Sequence, residues 1–109
     1  MYIVTNRIRT KLGFAEKMAP RFTKPGPLQQ MKGFVKVEVT LRQNVTEHDE
    51  LHVNMYWETL EDFEAWKQSD AFREAHRGAK SQNENTESPM LGSEIVISKI
   101  VSSIERDTL

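Results

Sequence analysis

Alternating apolar and polar positions predict four β-strands in this chain. Residues 2–9, 33–41 and 51–57 repeat with a period of two, which is the pattern of a half-buried strand. Residues 95–104 are rich in β-branched side chains and predict the last strand. The polar segment 43–49 joins the second and third strands, so we expect these two to form a hairpin.

Helical patterns fill the two longer gaps between the strands. Apolar side chains recur every fourth position in residues 14–22, where Pro20 should kink or shorten the helix. Thr59 is a good N-cap because acidic residues follow it in the first turn, and Ser69 is a second capping signal that opens another helical segment. Residues 81–88 are polar without periodicity and predict a loop.

The predicted order is β-α-β-β-α(α)-β, which is the split βαβ pattern of ferredoxin-like α+β folds. We expect one domain over residues 1–109, with an antiparallel sheet that helices cover on one face only. The other face needs a cover. A second copy of the same sheet is the economical one, because two-fold dimers are the commonest oligomers.

Composition narrows the classes of function. The chain is 38% hydrophobic and 28% charged, and its net charge of −1 gives no reason to expect nucleic acid or an acidic membrane as a partner. It has no cysteine, which excludes thiolate nucleophiles, iron–sulfur clusters and zinc–thiolate sites. Neither a signal peptide nor a membrane-spanning run is evident, so we expect a cytoplasmic protein.

Three side chains stand out because their chemistry does not match their position. Asn6 shares a strand face with Val4 and Ile8, where a carboxamide must find a partner or face a polar cavity; a strand-edge Asn bonded to neighbouring backbone is the simpler explanation. His76 lies on an apolar helical stripe, where it is either a core or capping histidine or an axial ligand of iron. Trp66 is either a core residue or a wall of a pocket for a large aromatic ligand.

A fourth pattern carries no expectation of a site. His48 and His52 have the spacing of a zinc-binding H-E-x-x-H motif, but they span a predicted turn and strand. Only a helix places positions i and i+4 on one face, so this pair does not predict a metal centre.

Residues 4–8 (VTNRI) resemble the first strand of IsdG-type haem-degrading monooxygenases, and residues 65–76 (AWKQSDAFREAH) resemble their central helical segment. The polar loop that follows in the family resembles residues 81–84 (SQNE) and 88–89 (SP). The resemblance covers essentially the whole chain. The family's triad of Asn, Trp and His falls on the three residues singled out above: Asn6, Trp66 and His76.

This resemblance implies a fold, a substrate and roles. It implies two ferredoxin-like protomers whose sheets form a dimeric β-barrel, with one haem pocket per protomer. Haem would be both substrate and cofactor, with His76 as the metal ligand, Asn6 as a hydrogen-bond donor in oxygen activation and Trp66 pressing the porphyrin out of plane. Arg21 and Phe22 complete the implied haem-binding set.

The resemblance further implies O2 as co-substrate, an external electron donor such as a reductase, iron release and a role in iron acquisition. Two alternatives stay open. A cofactor-free quinol-type monooxygenase of the same superfamily would not need His76, and a non-enzymatic haem carrier would keep His76 but not need Asn6.

Overall fold

A computed structural model describes residues 1–74 and 90–107 of the chain. Its elements, in chain order, are β1 (Tyr2–Thr10), α1 (Ala15–Met18), two 3-10 helices (Ala19–Phe22 and Pro27–Gln30), β2 (Phe34–Leu41), β3 (Asp49–Trp57), α2 (Leu60–Lys67) and β4 (Met90–Lys99). Residues 70–74 are also helical. In the described part of the chain, none of the helices is long and apolar enough to cross a membrane.

The strands form one antiparallel sheet in the order β2-β3-β1-β4. β1 is therefore a central strand, and Asn6 lies opposite Val53 of β3 on one side and Ile95 of β4 on the other. The predicted α+β ferredoxin-like fold, with a hairpin of the second and third strands, is confirmed.

The predicted bounds of the last strand, 95–104, are wrong by five residues, since β4 spans Met90–Lys99. β4 runs antiparallel to β1, so Lys99 lies opposite Tyr2 and Ile100 donates a backbone hydrogen bond to the Met1 carbonyl at 2.9 Å. β1 begins at Tyr2, so the paired register of β1 and β4 ends at Lys99. The early half of β4 gave no hydrophobic signal because Gly92, Ser93 and Glu94 occupy it.

Pro20 breaks the first predicted helix as expected. The predicted span of 14–22 divides into the single α-helical turn of α1 and a 3-10 helix that starts at Ala19 and has Pro20 in its first turn. Proline lacks the N–H that an interior helical residue donates, and its ring clashes with the preceding turn. The tighter 3-10 winding carries the chain on to Phe22.

Two apolar clusters on the helical face of the sheet form the described core. The Ile8 cluster contains Ile8, Ala15, Met18, Leu51 and Val53, and the Val4 cluster contains Val4, Trp57, Phe63 and Trp66. Full burial of side chains such as Ile8 and Leu51, each 1% exposed, stabilises the fold by about 2 to 3 kcal/mol apiece. Asn6 lies between Val4 and Ile8 on β1, and hence between the two clusters.

Candidate active site between the two core clusters

Asn6 projects from the middle of the sheet with an unsatisfied polar atom. Its Oδ1 is buried and has no hydrogen-bond partner among the described residues. The simpler explanation from the sequence, a strand-edge Asn bonded to neighbouring backbone, is wrong, because β1 is paired on both sides. A buried polar atom without a partner costs about 1 to 3 kcal/mol, so this position is suited to a polar group of a ligand.

Trp66 lies on the same side of the sheet, at the end of α2. Thr59 caps that helix, because its Oγ1 accepts from the Asp62 N–H at 3.1 Å. Trp66 is 6% exposed and shares a cluster with Val4, the residue two positions before Asn6 on the same strand face. Trp66 is therefore a core residue in this structure, in the same cluster as Val4 of β1.

Ser69 fixes the turn that follows Trp66. Its hydroxyl donates to the Trp66 carbonyl at 2.6 Å and accepts from the Phe72 N–H at 3.1 Å, so it closes α2 and caps the next helical turn. The chain reverses so that Phe72 meets Trp66 edge-to-face, with ring centroids 5.6 Å apart. The hydrogen bond from the Phe72 N–H to Ser69 Oγ confirms the capping role that the sequence predicts for Ser69.

β4 supplies an exposed apolar shelf beside Asn6. Ile95 and Ile97 lie opposite Asn6 and Val4, on the helical face of the sheet, yet they are 58% and 48% exposed. The described helices pack mainly over β2 and β3. A flat apolar molecule placed on the shelf would bury both side chains next to Asn6.

The two other predicted haem contacts flank the Ile8 cluster. Phe22 is half-buried and packs against that cluster from the 3-10 helix. Arg21, its neighbour, is exposed. His76, the predicted metal ligand, lies outside the described residues.

His52, one of the two histidines with the spacing of a zinc motif, lies on the opposite face of the sheet. His52 of β3 points to the face that carries Thr5 and Arg7, here called the open face, because the buried residues of the helices join clusters on the other side. Its Nε2 lies 2.6 Å from Glu50 Oε2. No group of three or more potential metal ligands occurs in the part of the chain that the structure describes.

The open face also carries a buried carboxylate that the sequence pattern did not predict. Glu50 is 3% exposed, and its oxygens accept from Arg7 and Arg42 as well as meeting His52. The hydrogen bond with His52, followed by the bonds and charge of Arg7, lowers the pKa of Glu50 from 4.5 to about 2 despite burial. The charges of Arg7 and Arg42 are visible in the sequence, but only the strand register shows that they converge on Glu50.

The family model for antibiotic biosynthesis monooxygenases matches residues 1–78, which include β1, β2, β3 and α2. The chain belongs to the antibiotic biosynthesis monooxygenase family.

Sequence similarity to a relative agrees with this family membership. A heme oxygenase (staphylobilin-producing) from Staphylococcus saprophyticus is 47% identical over 95% of this chain and 99% of its own length. The predicted resemblance to IsdG-type haem-degrading monooxygenases is thereby confirmed.

Two solved structures show the same fold at low identity. A Bacillus cereus protein, provisionally described as an antibiotic biosynthesis monooxygenase, has a TM-score of 0.79 at 18% identity, and the match covers 99% of this chain and 98% of that one. The heme-degrader MhuD from Mycobacterium tuberculosis, solved with two hemes bound in its active site, has a TM-score of 0.66 at 19% identity over 96% of this chain and 100% of its own.

This antibiotic biosynthesis monooxygenase also has a shallow groove at the β2 edge of the sheet. Ala19, Pro20 and Thr23 form one wall, and residues 37–40 of β2 form the other. The groove is open to solvent and lies two strands away from β1. Asn6, Trp66 and the β4 shelf therefore remain the better candidate for a site that holds a large planar ligand.

Proposed function

We propose that this protein is a haem-degrading monooxygenase, an oxidoreductase that uses O2 and external electrons to open the porphyrin ring and release its iron. The carboxamide of Asn6 carries the proposal, since its Oδ1 is buried without a hydrogen-bond partner among the described residues and lies beside an exposed apolar shelf. The names of the close relatives support the substrate, and those at 44–48% identity support an opened tetrapyrrole of the staphylobilin class as product.

The described residues fit a haem-sized substrate. A porphyrin is flat and apolar over most of its area, which matches the shelf of Ile95 and Ile97. Covering both side chains removes apolar surface from water, worth about 25 cal/mol per Å². A half-turn of the Asn6 carboxamide exchanges its oxygen and nitrogen, so this side chain presents a donor or an acceptor to a ligand.

Each predicted site residue has a separate part in the proposed reaction. Bound haem supplies the redox chemistry, and the protein orients it and shields it from water. His76 would hold the iron, and Asn6 would donate a hydrogen bond where negative charge develops during oxygen activation. Trp66 would press on the porphyrin, and Arg21 and Phe22 would complete the haem-binding set.

The proposal includes the assembly and the setting of the enzyme. Two copies pair their open faces in a dimeric β-barrel, an arrangement supported by a sheet whose described helices all pack on one side. A separate reductase supplies the electrons, because the sequence shows no flavin or nicotinamide motif. The place of action is the cytoplasm, and the role is iron acquisition.

Haemin titration followed by reduction tests the function. The protein should bind haemin with a shifted Soret band, and this band should decay in air when a reductant is added, while a ferrous chelator detects released iron. A Soret band that survives the reductant would indicate a carrier. No Soret shift would favour a quinol-type monooxygenase, and either result would overturn the proposal.

A further inference from the structure

Asn6 lies between two residues that tie β1 to its neighbours on the open face of the sheet. Thr5 Oγ1 donates to Asn54 Oδ1 of β3 at 2.8 Å, and Asn54 Nδ2 donates onward to Thr40 Oγ1 of β2 at 3.4 Å. This chain of side-chain hydrogen bonds crosses β1, β3 and β2. It begins one residue before Asn6.

The second tie begins one residue after Asn6. Arg7 donates to Glu50 of β3 at 3.2 Å through Nη2, and to Glu94 of β4 at 2.8 Å through Nη1. Its guanidinium therefore bridges both neighbours of the central strand. Glu50 is almost fully buried and also accepts from Arg42, so the β3 end of the bridge is a fixed anion.

These contacts restrain β1 on both sides of Asn6 from behind the sheet. Successive side chains of a strand point to opposite faces, so the ties of Thr5 and Arg7 leave the helical face free for the carboxamide. The Arg7–Glu94 contact also holds β4, and with it the shelf residue Ile95, against β1 at the level of Asn6. Such restraint from supporting contacts is what an oriented hydrogen-bond donor needs in a reaction that depends on geometry.

We propose that Thr5 and Arg7 are positioning residues, which act through the backbone of β1 to hold the carboxamide of Asn6 at a fixed place above the β4 shelf. The inference rests on the proposed function, in which Asn6 assists oxygen activation. A positioning role differs from a general contribution to sheet stability, because Thr5 and Arg7 would then affect the reaction only through Asn6. A matched control is the Lys36–Glu38 ion pair of β2, which lies on the open face with its charged atoms 3.4 Å apart. This pair contacts neither Thr5 nor Arg7.

The experiment compares Thr5→Val and Arg7→Met with the control Lys36→Met, each in the parent chain and in an Asn6→Ala background. Thr5→Val keeps the shape and strand preference of the residue while removing its hydroxyl, so it tests the proposal even where Arg7→Met fails to fold. The first measurement is single-turnover decay of the haem Soret band. The second is the NMR order parameter of the Asn6 side-chain amide in the haem-free protein, with Asn6→Ala used for assignment.

We expect Thr5→Val and Arg7→Met to bind haem normally but to degrade it ~10-fold more slowly, because small misplacements of a reacting group are costly. In the Asn6→Ala background both should have no further effect, and Lys36→Met should match the parent throughout. The Asn6 amide should become more mobile in the two test variants only. Equal slowing with and without Asn6, or an unchanged Asn6 amide, would overturn the inference. If the parent does not degrade haem, the proposed function fails, and the order parameter alone then decides whether Thr5 and Arg7 position Asn6.

Discussion

Replacing Glu50 by Gln should remove a large, pH-dependent part of the stability of the fold. The pKa of Glu50 falls from 4.5 to about 2 on folding, which corresponds to about 3 kcal/mol of stability at pH 7. The hydrogen bond with His52 contributes most to this shift, followed by Arg7 and Arg42, and because all three partners are partly exposed, solvent screening reduces the expected loss to about 2 to 3 kcal/mol. Gln has nearly the same volume, so packing does not add to this loss.

The sign of the pH dependence follows from the lowered pKa. The contribution of Glu50 is fully present above about pH 4.5 and is lost as the pH falls through about 2, so the gap between parent and Glu50→Gln should close in that range. This difference in unfolding free energy is measured by urea unfolding, followed by tryptophan fluorescence at one protein concentration and at several pH values. Glu94→Gln is the matched control, because Glu94 contacts the same Arg7 from an exposed position and should cost less than about 0.5 kcal/mol. A loss below about 0.5 kcal/mol for Glu50→Gln would contradict a stabilising role of the ionised Glu50. So would a stability difference between parent and variant that does not change with pH.

Four further predictions concern the proposed site and assembly. Asn6→Ala should bind haem with near-normal affinity but degrade it about a hundredfold more slowly in single-turnover assays, as for loss of one donor to a developing negative charge. Trp66→Ala should keep the axial ligand but hold a more planar haem, visible by resonance Raman spectroscopy, and turn it over more slowly. His76→Ala should lose or strongly alter the Soret band while its far-UV circular dichroism stays that of the parent, and an unchanged band would point to another ligand. Sedimentation should give a dimer that buries at least ~1,000 Å², and a monomer at micromolar concentration would contradict the shared barrel.

The patterns of the strands and helices were enough to predict the fold, because they are local properties of the sequence. Alternation placed Val4 and Ile8 on the buried face of β1, and the register confirms that assignment. The end of β4 could not be predicted in the same way. Its apolar residues continue to Ile104, but the strand stops at Lys99, where its partner β1 runs out, and this limit is set by pairing.

The candidate site, like the fold, was predictable from the sequence only in part. The sequence singled out Asn6 because a carboxamide on an apolar strand face is an anomaly that local pattern reveals. The roles of Trp66 and His76 came from resemblance, since an aromatic or a histidine on a helical stripe is equally typical of a core. The convergence of Arg7 and Arg42 on Glu50, and the shelf of exposed β4 residues, depend on which strands are neighbours and on where the helices pack.

Product analysis under labelled oxygen tests the central claim most directly. The purified protein is loaded with haemin and reduced under 18O2, and the pigment and the free iron are then measured by mass spectrometry and with a ferrous chelator. We expect that haem disappears, that iron is released and that a ring-opened tetrapyrrole carries the 18O label. Recovery of intact haem, or a degraded pigment without label, would contradict it.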